Sequence, residues 1–165
     1  MIFVTVGSRN YPFDRLFQKL DALCEQDVFQ EEIFAQIGTS TYQPRHYAFA
    51  DFISPEEFDR CMQEANIVVS HGASGTIMRA LHYGKKVIAV ARLEKYGEHI
   101  NDHQIQNNEA LAGEGYILMA DPELNDLADC FAKIYTGTDG LRRWENKDPM
   151  AIIRRIDAFI SENWQ

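Results

Sequence analysis

Short apolar runs alternate with stretches of helical period along almost the whole chain. Ile2-Phe3-Val4-Thr5-Val6 is nearly continuous and ends at Gly7-Ser8, the pattern of a strand buried on both faces of a parallel sheet. Phe13, Leu16, Phe17, Leu20 and Leu23 follow at helical spacing and predict an amphipathic helix. Residues 32–37 predict a second strand closed by Gly38-Thr39-Ser40, and residues 47–52 a shorter one. Ser54-Pro55-Glu56-Glu57 predicts a helix start: the serine caps, the proline takes the first helical position, and Glu57 completes a capping box. Phe58, Met62 and Ala65 supply that helix's inner face. The run Ile67-Val68-Val69-Ser70 predicts a strand, and a helix with Ile77, Met78, Leu81 and Tyr83 apolar follows the next turn.

Beyond it, residues 85–90 predict a strand, 91–101 a charge-rich loop with Gly97, 102–111 a helix and 115–119 a strand. Pro122-Glu123 is expected to open a helix through Tyr135, and residues 136–147 form a polar connection. Asp148-Pro149 then caps a last amphipathic helix with Ile152, Ile153, Ile156, Phe159 and Ile160 on its apolar side. Strands alternating with helices predict a doubly wound, Rossmann-like α/β fold with a parallel sheet. No repeat, low-complexity segment or internal boundary divides residues 1–165, which read as one domain.

In such sheets ligands bind beyond the carboxyl ends of the strands. Four loops belong there: Gly7-Ser8, Gly38-Thr39-Ser40, the turn from His71 to Thr76, and residues 92–104. The turn reads Ser70-His71-Gly72-Ala73-Ser74-Gly75-Thr76 and leads into a helix. The first amides of that helix lack intrahelical partners and point past the strand end. Gly72 and Gly75 remove side chains where a ligand approaches, and Ser74 and Thr76 add hydroxyl donors. The pattern fits an anion site, most simply for a diphosphate. It also fits a helix entry that binds nothing, since glycine and serine are ordinary turn residues. The loop Arg92-Leu93-Glu94-Lys95-Tyr96-Gly97-Glu98-His99-Ile100-Asn101-Asp102-His103-Gln104 packs charges, two histidines and two amides into one connection. Arg92 suits a phosphate in fork geometry, and Asp102 and Gln104 suit the hydroxyls of a sugar ring. A solvated loop with an aspartate cap is the alternative.

Composition narrows the class. At 165 residues, 45% hydrophobic and 25% charged, the chain is an ordinary soluble globular domain. A net charge of −9 excludes a nucleic-acid backbone as the default partner. Three cysteines, Cys24, Cys61 and Cys130, show no metal or disulfide spacing and suit a reducing cytoplasm. Neither a signal peptide nor a membrane-spanning run is legible.

Read together, the Ser-His-Gly-Ala-Ser-Gly-Thr turn, the run Gly84-Lys85-Lys86-Val87-Ile88-Ala89-Val90-Ala91-Arg92 and Glu98-His99-Ile100-Asn101-Asp102-His103-Gln104 resemble the family 28 C-terminal domain of GT-B glycosyltransferases. Phe3-Val4-Thr5-Val6-Gly7, Phe13-Asp14-Arg15-Leu16 and Gln36-Ile37-Gly38 with Tyr42 and Pro44 fit the same family, over roughly residues 1–120. The resemblance extends to small subunits of split exopolysaccharide and capsule glycosyltransferases and to the small subunit of the eukaryotic dolichol-linked N-acetylglucosamine transferase. It implies a GT-B half-domain that binds a UDP-sugar donor, without cofactor or metal. Ser74, Gly75 and Thr76 would face the diphosphate with His71 and Gly72 beside it, and Gly7, Ser8 and Gly38 would complete the rim. Arg92 would stabilise the departing UDP, Asp102, His103 and Gln104 would approach the sugar, and Glu98 and His99 would precede that element. His71, Arg79 and Ala91 mark departures: His71-Gly72-Ala73 replaces the commoner His-Ala-Gly or His-Gly-Gly, Arg79 a frequent glutamate, and Ala91 a proline.

The resemblance further implies a membrane-associated partner subunit that binds the acceptor, recruits this chain to the inner membrane face and supplies the base. The chain alone is then expected to be inactive and to self-associate through its cleft face. A non-catalytic enhancer of such a partner is a second reading. A Rossmann-like nucleotide-binding protein unrelated to sugar transfer is a third, weakened because no GxGxxG follows the first strand. His71, His99 and His103 could each donate a proton or merely orient a loop, while isolated His46 and His82 read as surface or packing residues.

Overall fold

A computed structural model of the chain describes residues 1–100 and 103–145. Six parallel strands form one sheet: β1 (Ile2–Thr5), β2 (Ile33–Gln36), β3 (Ala48–Ala50), β4 (Ile67–Ser70), β5 (Lys86–Ala89) and β6 (Leu118–Met119). Their order is β3-β2-β1-β4-β5-β6, so the winding reverses between β1 and β4. The helices are α1 (Asp14–Glu25), α2 (Pro55–Glu64), α3 (Ser74–His82), α4 (His103–Gly113) and α5 (Leu127–Tyr135). This is the doubly wound, Rossmann-like fold that the alternating pattern predicts.

The continuous apolar runs of the central strands are explained by burial on both faces. Ile2, Val4 and Val6 pack with Leu16, Phe17 and Leu20 of α1 and with Leu127 and Phe131 of α5. Phe3 points to the other face and joins Met62 of α2, Ala80 and Leu81 of α3, and Val68 and Val87. One residue of period along β1 therefore serves two cores.

Local chemistry sets the element ends. Ser54 Oγ accepts the Glu57 amide at 3.1 Å, with Pro55 opening α2. The Glu57 carboxylate pairs with Arg60 at 3.3 Å, so the bond that the structure gives this carboxylate runs along the helix. The helix expected from Pro122 begins five residues later, at Leu127. The Asp121 carboxylate accepts the amides of Glu123, Asn125 and Asp126, and Leu124 adopts φ +64°, so the chain coils before it can enter a helix. The strand expected over 115–119 narrows to Leu118–Met119, an edge that pairs with β5. A short 3-10 turn, Glu94–Tyr96, lies within the loop expected over 91–101. The last amphipathic helix, expected from Asp148, lies outside the described residues. Among the described residues no helix is long and apolar enough to cross a membrane.

Candidate functional site

β1 and β4 are adjacent, and their loops diverge at the point where strand order reverses, the place where doubly wound sheets bind ligands. A pocket of about 420 Å3 opens there, lined by Gly7, Ser8 and Arg9 from the first loop and His71 to Thr76 from the second. His99 and Asn107 complete its wall.

The β4–α3 turn is shaped by Gly72, at φ +91°. Its amide donates to Ser70 Oγ at 3.3 Å. Ala73 is the N-cap of α3, and its side chain makes no capping bond. The first helical bond runs from the Ile77 amide to the Ala73 carbonyl at 3.1 Å, so the amides of Ser74, Gly75 and Thr76 stand ahead of the hydrogen-bonded turns. Ser74 and Gly75 are exposed, and no atom lies within 4 Å of where a Gly75 side chain would start. Partial positive charge from the helix and two hydroxyls thus meet at an open wall of the pocket, an arrangement suited to a phosphate-bearing anion.

His71 is 5% exposed and its Nδ1 lies 3.3 Å from the Thr5 carbonyl. A carbonyl only accepts, so Nδ1 carries the hydrogen and Nε2 the lone pair. Burial lowers the imidazole to about 4, with the charge of Arg92 adding to the effect. The ring is neutral near pH 7, and in this tautomer its free nitrogen accepts. Of the two roles open to His71 in the sequence, proton donor or orienting group, the contact to Thr5 matches the second.

Arg92 is not where the sequence suggests. Its side chain is 1% exposed, and one guanidinium nitrogen donates to the carbonyls of Val6 at 2.7 Å and Tyr11 at 2.9 Å. Phe13 lies 5.8 Å from the guanidinium carbon. Burial lowers the group to about 10, leaving it charged. Arg92 therefore ties the carbonyls of the Gly7–Tyr11 loop from beneath and does not line the pocket. Glu98 is corrected likewise. Its buried carboxylate takes Arg15 Nε at 2.7 Å and a second Arg15 nitrogen at 3.0 Å, and accepts the Leu93 amide at 2.8 Å. Arg15 in turn donates to the carbonyls of Ala91 and Pro122. The pair fastens the loop after β5 to α1.

Gly38 is also below the rim. Its φ is +60°, and a side chain there would start 3.2 Å from the Gly7 carbonyl, so it supports the first loop from behind. His99 does reach the pocket, with its ring centroid 5.2 Å from that of Tyr11. His103 and Gln104 open α4, but Asp102 and the side chains of His103 and Gln104 lie outside the described residues. His46 is a surface residue: its Nδ1 and amide meet the Asp21 carboxylate at 3.2 and 3.0 Å.

Two lining residues escape the sequence reading, Arg9 and Asn107. Arg9 follows Gly7-Ser8 directly, and its charge is felt at His71, where it helps lower the imidazole. A cation two residues past a strand-end glycine was the available signal. A second concavity, of about 370 Å3, lies by the C-terminal end of α3 and includes Lys85, Lys86 and Trp144. Lys86 Nζ is committed there to both Asp139 oxygens at 2.9 Å.

Residues 1–136 match the model of the glycosyltransferase family 28 C-terminal domain. The chain is 27% identical over 124 residues to the UDP-N-acetylglucosamine transferase subunit ALG13 of Mus musculus, covering 70% of this chain and 10% of that protein. It thus spans about a tenth of the length of that relative. Among solved structures it is similar to the glycotransferase of kitacinnamycin (TM-score 0.59, 17% identity, 98% of this chain and 38% of the other). MurG of Acinetobacter baumannii superposes with TM-score 0.58 and 14% identity over 96% of this chain and 49% of the other. A UDP-glucose:anthocyanidin 3-O-glucosyltransferase in complex with UDP gives TM-score 0.57 and 10% identity over 99% and 36%. These likenesses confirm the fold as that of a GT-B half-domain. The family match covers most of the chain, and the chain belongs to the glycosyltransferase family 28 C-terminal domain family.

Proposed function

We propose that this chain is the UDP-sugar-binding subunit of a two-component inverting glycosyltransferase, acting in exopolysaccharide or capsule synthesis with a membrane-associated partner that binds the acceptor. The observation that carries the reading is the start of α3, which its N-cap residue leaves uncapped and whose exposed Ser74 and Gly75 and half-buried Thr76 share one pocket with the Gly7-Ser8-Arg9 loop. Transfer breaks the bond between the sugar's anomeric carbon and a diphosphate oxygen and forms the bond to an acceptor oxygen from the opposite face. Negative charge then builds on UDP. The α3 amides, the hydroxyls of Ser74 and Thr76 and the Arg9 guanidinium are placed to stabilise it. Arg9 takes the role that the sequence reading gave to Arg92. His71 orients the first loop through Thr5 and moves no proton. The base is supplied by the acceptor-binding subunit in this reading.

The test is calorimetric titration of the purified chain with UDP, and with ADP and NAD as controls. Selective UDP binding that is lost in Ser74→Ala/Thr76→Ala supports the donor site. Equal binding of all three nucleotides, or UDP affinity untouched by the double substitution, overturns it. In the reconstituted complex, turnover that survives the same substitution would instead assign this chain the enhancer's role.

A further inference from the structure

Asn108 is fully buried on α4, and neither its Oδ1 nor its Nδ2 has a hydrogen-bond partner among the described residues. Leu111 and Ala112, three and four positions on, pack into the apolar cluster between α3 and the sheet. Helical spacing therefore puts Asn108 on an inward face where leucine would be the ordinary choice. A buried amide left unpaired destabilises a fold. Its position gives that burden a function.

The amide lies against the turn that builds the pocket. A side chain on Gly72 would start 2.3 Å from Nδ2 and 2.9 Å from Oδ1, so glycine is required at 72 by Asn108 as much as by its φ of +91°. Gly72 lines the pocket, as does Asn107, the neighbour of Asn108. Among the described residues, the Gly72 amide has a side-chain bond to Ser70 Oγ, at 3.3 Å. The turn thus sits between an open anion wall and a buried amide with unused donors and an unused acceptor. An anion drawn to the α3 amides sits on the far side of the turn whose Gly72 lies against Asn108.

We propose that Asn108 is a positioning residue of the donor site, whose amide makes its hydrogen bonds to the Gly72–Ala73 peptide groups when a nucleoside diphosphate occupies the pocket. The inference rests on the reading of the pocket given above. An amide unsatisfied in the free chain and satisfied in the occupied one adds to affinity by the difference between the two states. It also fixes the distance between the diphosphate turn and α4, the helix that opens with His103 and Gln104.

The test compares Asn108→Leu, which keeps the branching and removes every polar atom, with Asn108→Ala, which only removes atoms. In Asn108→Leu the melting temperature holds or rises, because an unpaired buried amide is gone, while UDP affinity falls about tenfold, or 1.4 kcal/mol. Asn108→Ala loses the same affinity whatever its packing loss. In 15N spectra of the wild-type chain the Asn108 side-chain NH2 resonances, identified by their absence in the variants, shift and exchange more slowly on addition of UDP. Wild-type UDP affinity in both variants, or NH2 resonances indifferent to UDP, overturns the proposal alone. A wild-type chain that binds no UDP overturns the reading of the pocket, and the proposal with it.

Discussion

The ring of His71 lies beneath the α-carbon of Gly7: a side chain on that glycine would start 2.9 Å from Cε1 and 3.1 Å from Nε2. The loop after β1 and the turn after β4 are closed on one another by an imidazole and a missing side chain. Gly7→Ala meets two obstacles, this contact and a backbone at φ +73°. It is expected to lower stability by about 2 kcal/mol or more in urea denaturation, and to weaken UDP binding because the ring must move.

The neutral state of His71 has a pH signature. The ordinary imidazole value is 6.5 and the folded one about 4, so the unfolded chain takes up the proton first as pH falls. Stability present above pH 6.5 is lost progressively down to pH 4, by up to about 3 kcal/mol from this group. His71→Asn can still donate to the Thr5 carbonyl and takes no proton. Its unfolding free energy should lack that part of the slope, measured by denaturant titrations across the interval. A slope unchanged in the variant would mean that the ring takes up its proton equally in the folded and unfolded chain.

Arg9 and Arg92 should separate cleanly. Arg9 is exposed and lines the pocket, so Arg9→Ala is expected to leave stability within about 0.5 kcal/mol and to reduce UDP affinity several-fold, less so at high salt. Arg92→Leu strands the buried carbonyl of Val6 and the partly buried one of Tyr11 and should cost about 2–4 kcal/mol of stability. Parallel chemical denaturation and titration of the two variants reads both effects. A stable Arg92→Leu chain that has lost only UDP binding would restore Arg92 to the site.

Glu98→Ala removes the partner of a largely buried Arg15 and the acceptor of the Leu93 amide. Breaking a buried pair in this way is strongly destabilising, about 3 kcal/mol here. Hydrogen exchange should quicken in residues 92–98, which the pair ties to α1. Unchanged exchange there would show that the loop is held by other contacts.

Fold and site were legible to different depths. The central strands declare themselves through apolar runs because a sheet covered on both faces needs them, and Ser54-Pro55 declares a helix start because capping is local chemistry. The turn at 70–76 was legible for the same reason: glycines, hydroxyls and a helix entry act within seven residues. The start of α5 was not, since the Asp121 carboxylate collects three amides that compete with the helix that Pro122-Glu123 suggests.

What the sequence by itself determined is the alternation of strands and helices, the family pattern and the glycine- and serine-rich turn that lines the pocket, each written in residues close together along the chain. Tertiary structure alone decided which charges face the pocket. Arg92 and Glu98 look like ligand groups in a polar loop, yet each is taken by a partner more than eighty positions away, Val6 and Tyr11 for one and Arg15 for the other. Arg9 looks like a loop residue and stands at the pocket because β1 and β4 are neighbours. Asn108 reads as one more polar position on a helix, and only the packing of α4 against Gly72 reveals an amide without a partner among the described residues. Hydrogen-bond capacity is local to a side chain, but the competition for it is settled by the residues that the fold brings within reach.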